Sequence, residues 1–338
     1  MRHILCFGLL AALVAPAQAN ITVDGTLDGD YGAPLAVQTT KTGFGDAAGG
    51  SPDAGGGGGE LDAGYAKVWN GRLYVMLTGN QEPNFNKMDI FIDSKAGGEN
   101  TLSATPEYDF QPSPPSGPWI SSNLGGLTFD SGFEADYHLF GRWGGGNYEF
   151  DIVDRAGGGS ASVGGDSGAA APATTGVIAP GAGGNNTASF ISENVEFAFD
   201  NSNSAGVGGY DFTPGADNTA DQVAAAAVTT GIEFSIDLDD IGSPFIGDTI
   251  RISAMYNNGD HNFLSNQILG GLPGGIDMTP NLGGDGAGNF TGDLSGVDFN
   301  QFAGLQYFEL VVDEEVPEPT ALVLAGLALT GVVASRRR

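Results

Sequence analysis

The stretch that decides the fold is GYAKVWNGRLYVMLTGN, residues 64–80. Its central pair, Asn70-Gly71, is the preferred pair for a type I′ turn, in which both central residues take a positive φ. The flanking segments alternate with a period of two, which is the pattern of a half-buried strand. The stretch therefore predicts a β-hairpin. One face carries Leu73, Val75 and Leu77, and the other carries Arg72, Tyr74 and Met76.

The same alternation recurs outside the hairpin. In KMDIFID, residues 87–93, it places Met88, Ile90 and Ile92 inward and both Asp89 and Asp93 outward. Because amphipathic helices do not separate such segments, we expect an all-β protein, an antiparallel β-sandwich. One short helix is expected within residues 217–227. Further strands are expected at residues 133–140, 148–153, 195–199, 231–238, 249–256 and 306–312.

Glycine-rich and proline-rich segments interrupt these strands. The chain has 57 glycines among 338 residues, and glycine loses more backbone entropy on folding than any other residue. Residues 43–60, 106–119 and 156–186 are therefore expected to be long surface loops.

The N-terminus has the three parts of a secretory signal peptide. Arg2 and His3 precede an apolar run, and Ala17-Gln18-Ala19 is a small-x-small cleavage site. We expect residues 1–19 to form a signal helix that is removed, so that the mature chain begins at Asn20. The single cysteine lies in the removed segment, which excludes disulfides and thiolate nucleophiles from the mature protein.

The body between the two ends is strongly acidic. Residues 20–315 contain 8 Lys and Arg against 40 Asp and Glu, a formal charge of −32. Nucleic acid and anionic lipid are repelled by such a surface, so neither is an expected partner.

The last residues, VPEPTALVLAGLALTGVVASRRR, predict a membrane segment at 316–338. Two prolines end any strand or helix before it. At ~1.5 Å per residue, residues 320–335 span about 24 Å, against a hydrocarbon core of ~30 Å. Three terminal arginines orient this short transmembrane helix with the body outside the cytoplasm.

This order of motifs resembles the PEP-CTERM sorting signal of Gram-negative bacteria. The matching residues are Val316, Pro317, Glu318 and Pro319, then the apolar helix, then Arg336, Arg337 and Arg338. The resemblance implies transient anchoring in the inner membrane and cleavage near the Pro-Glu-Pro motif by an exosortase-type membrane protease. It also implies transfer of the body to the cell surface or an exopolysaccharide matrix. An ordinary C-terminal anchor is the alternative.

A second resemblance covers the body, residues 21–313. VDGTLDGDYG, LYVMLTGN, MDIFID and GIEFSIDLDDIG are similar in order and spacing to DOMON-like β-sandwiches, which include family 9 carbohydrate-binding modules. This resemblance implies a sandwich fold and leaves the ligand open.

The mature chain contains few of the side chains that catalytic sites commonly use. His138, on a predicted strand, is expected to pack or to form a hydrogen bond, and His261, in NNGDHN, is expected to be a solvated turn residue. Two histidines leave little for a triad or a multi-histidine metal site. We therefore expect a non-enzymatic exported protein, with a carbohydrate-binding module and a glycan hydrolase as the alternatives.

Calcium is the cation that the Asp/Asn/Gly loops would bind, since it takes carboxylate, amide and carbonyl oxygens. The alternative is that these residues only form turns. The candidate ligands are Asp285, Asn289 and Asp293, then Asp24, Asp28 and Asp30, and also Asp200, Asn201 and Asn203. A glycan would instead need exposed aromatic faces, for which the candidates are Trp119, Trp143, Tyr74 and Tyr137.

Overall fold

The computed structural model describes residues 21–44, 59–104, 120–155, 161–167, 173–180, 190–273 and 281–313. The predicted signal peptide, the predicted membrane segment and residues 106–119 lie outside the described residues.

Fourteen strands and one α-helix, α1 (Gln222–Ala226), occur in the described residues. Four 3₁₀ turns accompany them, at Gly29–Tyr31, Ile120–Leu124, Asp239–Ile241 and Phe299–Gln301. The strands are β1 (Ala36–Val37), β2 (Gly59–Trp69), β3 (Arg72–Gln81), β4 (Lys87–Asp93), β5 (Tyr137–Gly144), β6 (Asn147–Asp154), β7 (Ala161–Asp166), β8 (Ala173–Ile178), β9 (Val195–Asp200), β10 (Gly231–Asp237), β11 (Thr249–Asn257), β12 (Leu264–Leu269), β13 (Asn281–Gly283) and β14 (Phe308–Val311).

The strands form two antiparallel sheets. The first has the order β1-β2-β3-β10-β9-β8, and the second has the order β13-β12-β11-β4-β5-β6-β7. Strand β14 pairs with the first half of β11, and β12 pairs with its second half. The predicted all-β sandwich is confirmed.

The hairpin of β2 and β3 has the predicted turn. Trp69 pairs with Arg72, and Asn70 and Gly71 take φ values of 49° and 74°. β3 then pairs with β10 along its length, from Arg72 opposite Asp237 to Thr78 opposite Gly231. The hairpin therefore lies at the centre of the first sheet.

The main core lies between the sheets and takes side chains from both. β3 contributes Leu73, Val75 and Leu77, and β4 contributes Ile90 and Ile92, each at most 1% exposed. Ile90 and Ile92 were predicted to face inward, and Leu73, Val75 and Leu77 were predicted to share one face of their strand. Aromatic rings extend the same core, with Phe150 of β6 stacked on Phe197 of β9 at 5.3 Å between centroids.

A second core covers the outer face of the second sheet. Phe91 of β4 and Met255 of β11 are fully buried there, although they point away from the main core. Loop residues cover them, among them Leu102, Phe129 and Phe299. The second sheet is therefore buried on both faces over this area.

Several local predictions need correction. The segment 156–186 was expected to be a surface loop, but it contains β7 and β8, which form one edge of each sheet. β12 and β13 were not predicted, and the strand expected at 133–140 begins only at Tyr137. The expected helix is confirmed as α1, whose first turn is capped by the Asp221 side chain.

The hairpin turn gives the first prediction. An added Cβ at Gly71 meets no atom within 4 Å, so Gly71→Ala tests only its positive φ. We expect Gly71→Ala to lower the free energy of unfolding by about 1 kcal/mol in urea titrations. Gly29→Ala is the matched control, because Gly29 also has open space and no positive φ. Equal effects of the two substitutions would contradict the turn assignment.

Candidate functional site

Three titratable side chains meet under the second core. Nε2 of His138, on β5, lies 3.1 Å from Oδ1 of Asp89, on β4. Nδ1 of His261, in the turn after β11, lies 3.2 Å from the same carboxylate. All three residues are completely buried. In the described ranges, this cluster is the only group of three or more His, Cys, Asp or Glu side chains with ligand atoms close enough to share an ion.

Aromatic rings fix both imidazoles. His138 stacks on Phe91 at 4.4 Å between centroids, with the planes 9° apart. His261 meets Phe140 edge-on at 5.3 Å. Asn257, the last residue of β11, donates from Nδ2 to Oδ2 of Asp89 at 3.1 Å. The carboxylate is therefore held from β5, from β11 and from the following turn.

The histidines hold the Asp89 carboxylate in its charged form. Burial by itself raises the pKa of Asp89, but the charge of His261 and the hydrogen bonds with His138 and His261 outweigh it. The pKa of Asp89 therefore lies well below its usual range.

The strand register explains why these residues meet. Asp89 pairs with Phe140 and Phe91 pairs with His138, so the four side chains share the outer face of the second sheet. His261 reaches them from a tight turn in which its own φ is 53°. The turn is closed by Asn258, whose side-chain amide donates to Oδ1 of Asn262 at 2.6 Å and whose Oδ1 accepts from the backbone amide of Asn262 at 2.9 Å.

Two predictions about this cluster were wrong, and one is confirmed. His138 forms the expected hydrogen bond, but Asp89 does not face solvent and His261 is not a solvated turn residue. Alternation identified the face of β4 correctly and left open what covers that face. The sequence does contain a sign that this face is covered. Apolar residues further along the chain, such as Leu282 and Leu294, do not belong to the main core and pack in the second core instead.

The predicted calcium ligands form turns. Asp24 accepts from the amide of Thr26, and Asp28 accepts from the amide of Thr22. With Asp30, they do not form a group of three converging carboxylates. The second loop is similar, since its acids cap the turns that they begin. Asp285 accepts from Ala287 and Asn289, and Asp293 accepts from Ser295. Calcium binding at either loop stays a prediction.

The third predicted loop lies beside a pair of buried acids. Asn201 accepts a hydrogen bond from the side chain of Asn80, and Asn203 donates one to it. Asp200 caps its own turn at Ser202. Close to them, Glu60 and Asp62 are completely buried in β2, and any side chain at Gly206 would overlap both carboxylates. The amide of Val207 donates to Asp62 at 2.9 Å.

The predicted glycan-binding aromatics that the structure describes do not share an exposed face. Tyr137 is buried and accepts a hydrogen bond from Nζ of Lys95 at 2.7 Å, which corrects its prediction as an exposed residue. Trp143 is half-buried and lies 5.6 Å from Phe199. Tyr74 is half-buried on the outer face of the first sheet. Trp119 lies outside the described residues.

A polar cleft of about 520 Å³ opens where β4 and β11 meet their loops. Arg251 crosses it and pairs with Asp93 at 3.2 Å and with Glu309 at 2.9 Å. The cleft is lined by Asp93, Ser94, Lys95, Ala96, Gly132, Glu134, Gly247, Asp248, Thr249 and Arg251.

A separate buried acid, Glu233, lies on the outer face of the first sheet. Its carboxylate accepts from the amides of Asp24 and Gly25, each at 2.9 Å, and from the hydroxyl of Tyr31 at 2.8 Å. Burial raises the pKa of Glu233 to about 7, and these hydrogen bonds only partly oppose it. Glu233 therefore fastens the N-terminal segment to the sheet.

The fold and these clusters define an all-β sandwich whose second sheet carries an additional covering layer. Residues 315–338 match the family model of the PEP-CTERM protein-sorting motif. The chain therefore carries a PEP-CTERM sorting motif at its C-terminus, which marks it as an exported protein directed to an exosortase. The match covers the C-terminal tail and assigns no activity to the body.

No curated protein and no solved structure matches the chain. The resemblance of the body to DOMON-like sandwiches and family 9 carbohydrate-binding modules is accordingly not confirmed. Over the described residues, every helix is too short or too polar to span a bilayer. The predicted transmembrane helix lies outside those residues.

Glu233 gives a prediction for pH dependence. The folded state holds its proton up to about pH 7, whereas the unfolded state releases it near 4.5, so stability should fall as pH rises between these values. The full difference corresponds to roughly 3 kcal/mol. We expect urea titrations from pH 4.5 to 7.5 to show this loss in the wild type and to show much less of it in Glu233→Gln.

Glu193→Gln is the matched control, because Glu193 is exposed on the same protein. It should follow the wild-type pH dependence. Parallel curves for Glu233→Gln and the wild type would contradict a raised pKa for this group.

Proposed function

We propose that the protein is a non-enzymatic cargo protein that is cut near its Pro-Glu-Pro motif and then held at the cell surface or in the exopolysaccharide matrix. The observation that carries the proposal is the PEP-CTERM motif at residues 315–338. It follows the last strand, β14, after only a few residues, so the folded body and the sorting signal are separate parts of the chain.

The end of the body supports cleavage at this place. Val312 is fixed by two hydrogen bonds to the loop before β11, since its amide donates to Asp248 and its carbonyl accepts from Gly247. From Val312 to Pro317 the chain is five residues long and reaches at most ~18 Å. A protease that cuts at the motif therefore removes the tail without disturbing β14.

The acidic body also fits a released protein. Its formal charge of −32 keeps it soluble and away from anionic lipid once the tail is removed.

The processing step can be tested in a Gram-negative host that contains an exosortase. We expect the mature body in the cell-associated surface and matrix fraction, shortened at its C-terminus, when intact mass is measured. The double variant Pro317→Ala/Pro319→Ala should stay in the membrane fraction with an uncut C-terminus. Pro280→Ala, a change of the same type far from the motif, is the matched control. A wild-type protein that keeps Arg338 after export would contradict the proposal.

Retention in the matrix is tested by the same fractions in a strain that lacks exopolysaccharide. We expect the cut protein to move from the cell-associated to the free extracellular fraction there. A carbohydrate-binding module would in addition show saturable binding to one purified glycan, and a hydrolase would show turnover. Both alternatives stay predictions. The aromatic candidates for glycan binding that the structure describes are buried or half-buried.

A further inference from the structure

We propose that Asp89, His138 and His261 form a buried binding site for one divalent transition-metal ion, and that zinc is the ion it fits best. The two histidines lie 123 residues apart in the sequence and come from different elements, yet both reach the same carboxylate. No other histidine follows residue 3 in the chain. The proposal concerns the body and is independent of how the tail is processed.

The donor set selects the class of metal. Two imidazole nitrogens and one carboxylate oxygen suit zinc and its neighbours in the first transition row, whereas calcium and magnesium prefer oxygen ligands throughout. Three protein ligands leave a fourth position of a tetrahedral site to a water molecule.

The spacing of the donor atoms fits such an ion. With Zn–N and Zn–O distances of ~2.0–2.2 Å, neighbouring donors around a tetrahedral ion lie roughly 3.4 Å apart. The nitrogens of His138 and His261 lie 3.1 and 3.2 Å from the Asp89 carboxylate, and the ligand atoms all lie within 4.8 Å of one another. The two N···O distances are therefore within a few tenths of an ångström of the spacing around such an ion.

The surroundings hold these ligands in place. His138 stacks on Phe91, His261 lies edge-on to Phe140, and Asn257 donates to the second oxygen of Asp89. Such outer hydrogen bonds orient ligating groups in metal sites. The left-handed backbone of His261, with φ 53°, is a strained conformation of the kind found at functional sites.

Because the cluster is completely buried, the ion should enter while the chain folds. The test is to unfold the full chain, refold it in detergent with one equivalent of ZnCl₂ or with EDTA, and measure retained zinc after gel filtration. We expect one zinc per chain and a higher melting temperature than in EDTA. Equal concentrations of CaCl₂ or MgCl₂ should give no comparable rise.

Variants locate the ion. Asp89→Asn, His138→Gln and His261→Gln should each weaken zinc binding at least 100-fold, and Asn257→Ala should weaken it 10- to 100-fold. Asp285→Asn, which changes a partly exposed carboxylate in a turn, is the matched control and should bind as the wild type does. Undiminished zinc binding by refolded His138→Gln and His261→Gln would overturn the proposal, because the ion would then lie elsewhere.

If a variant fails to refold, the wild-type protein can be used to test which nitrogens bind zinc. The ring nitrogens of His138 and His261 can be followed by long-range ¹H–¹⁵N spectra, with protein refolded in EDTA as the reference. We expect zinc to shift Nε2 of His138 and Nδ1 of His261. No shift of either nitrogen, or no zinc retained at one equivalent, would overturn the proposal.

Discussion

The Asp89 carboxylate imposes a constraint on which the second core depends. A buried charge is costly unless several donors satisfy it, and the donors of Asp89 come from three parts of the chain. His138 is on β5, Asn257 ends β11, and His261 lies in the turn that follows. Satisfying this charge therefore fixes the 257–263 turn against the sheet, and β12 begins directly after that turn.

The extent of the second core follows from this arrangement. β12 and β13 continue from the fixed turn, and their apolar side chains join Phe91 and Met255 in the second core. The 3₁₀ turn at Phe299–Gln301 adds Phe299 to the same core before the chain returns as β14. A sheet that would otherwise expose one face is buried on both over this area. The polar cluster lies among the residues that this layer covers, which explains how a charged group is completely buried in so acidic a protein.

Much of the fold could be predicted from local patterns. Asn70-Gly71 specifies its turn by backbone conformation alone, and the inward residues of β3 and β4 follow from a period of two. The PEP-CTERM motif is also local, since it consists of consecutive residues. None of these features depends on residues far away in the sequence.

The rest depended on contacts between distant residues. Alternation places the side chain of Asp89 on the other face of β4 from that of Ile90. Whether this outer face meets water depends on the loops that pack against it. His261 stands among Asn, Gly and Asp, whose turn-forming character concealed its burial. β7 and β8 are built largely from Ala, Ser, Thr and Gly. Each lies at the edge of a sheet and forms backbone hydrogen bonds with one neighbouring strand, β7 with β6 and β8 with β9. Their composition alone favours a loop.

The most direct measurement of the central claim is the free energy of unfolding of Asp89→Asn in EDTA, where only the hydrogen-bond network contributes. Removing one member of a buried, charged network costs about 3 kcal/mol or more, and Asp285→Asn, on an exposed turn, should cost under ~1 kcal/mol. The account predicts this difference, together with a loss of protection from hydrogen exchange in the 257–269 segment. Asp89→Asn and Asp285→Asn of equal stability would contradict it.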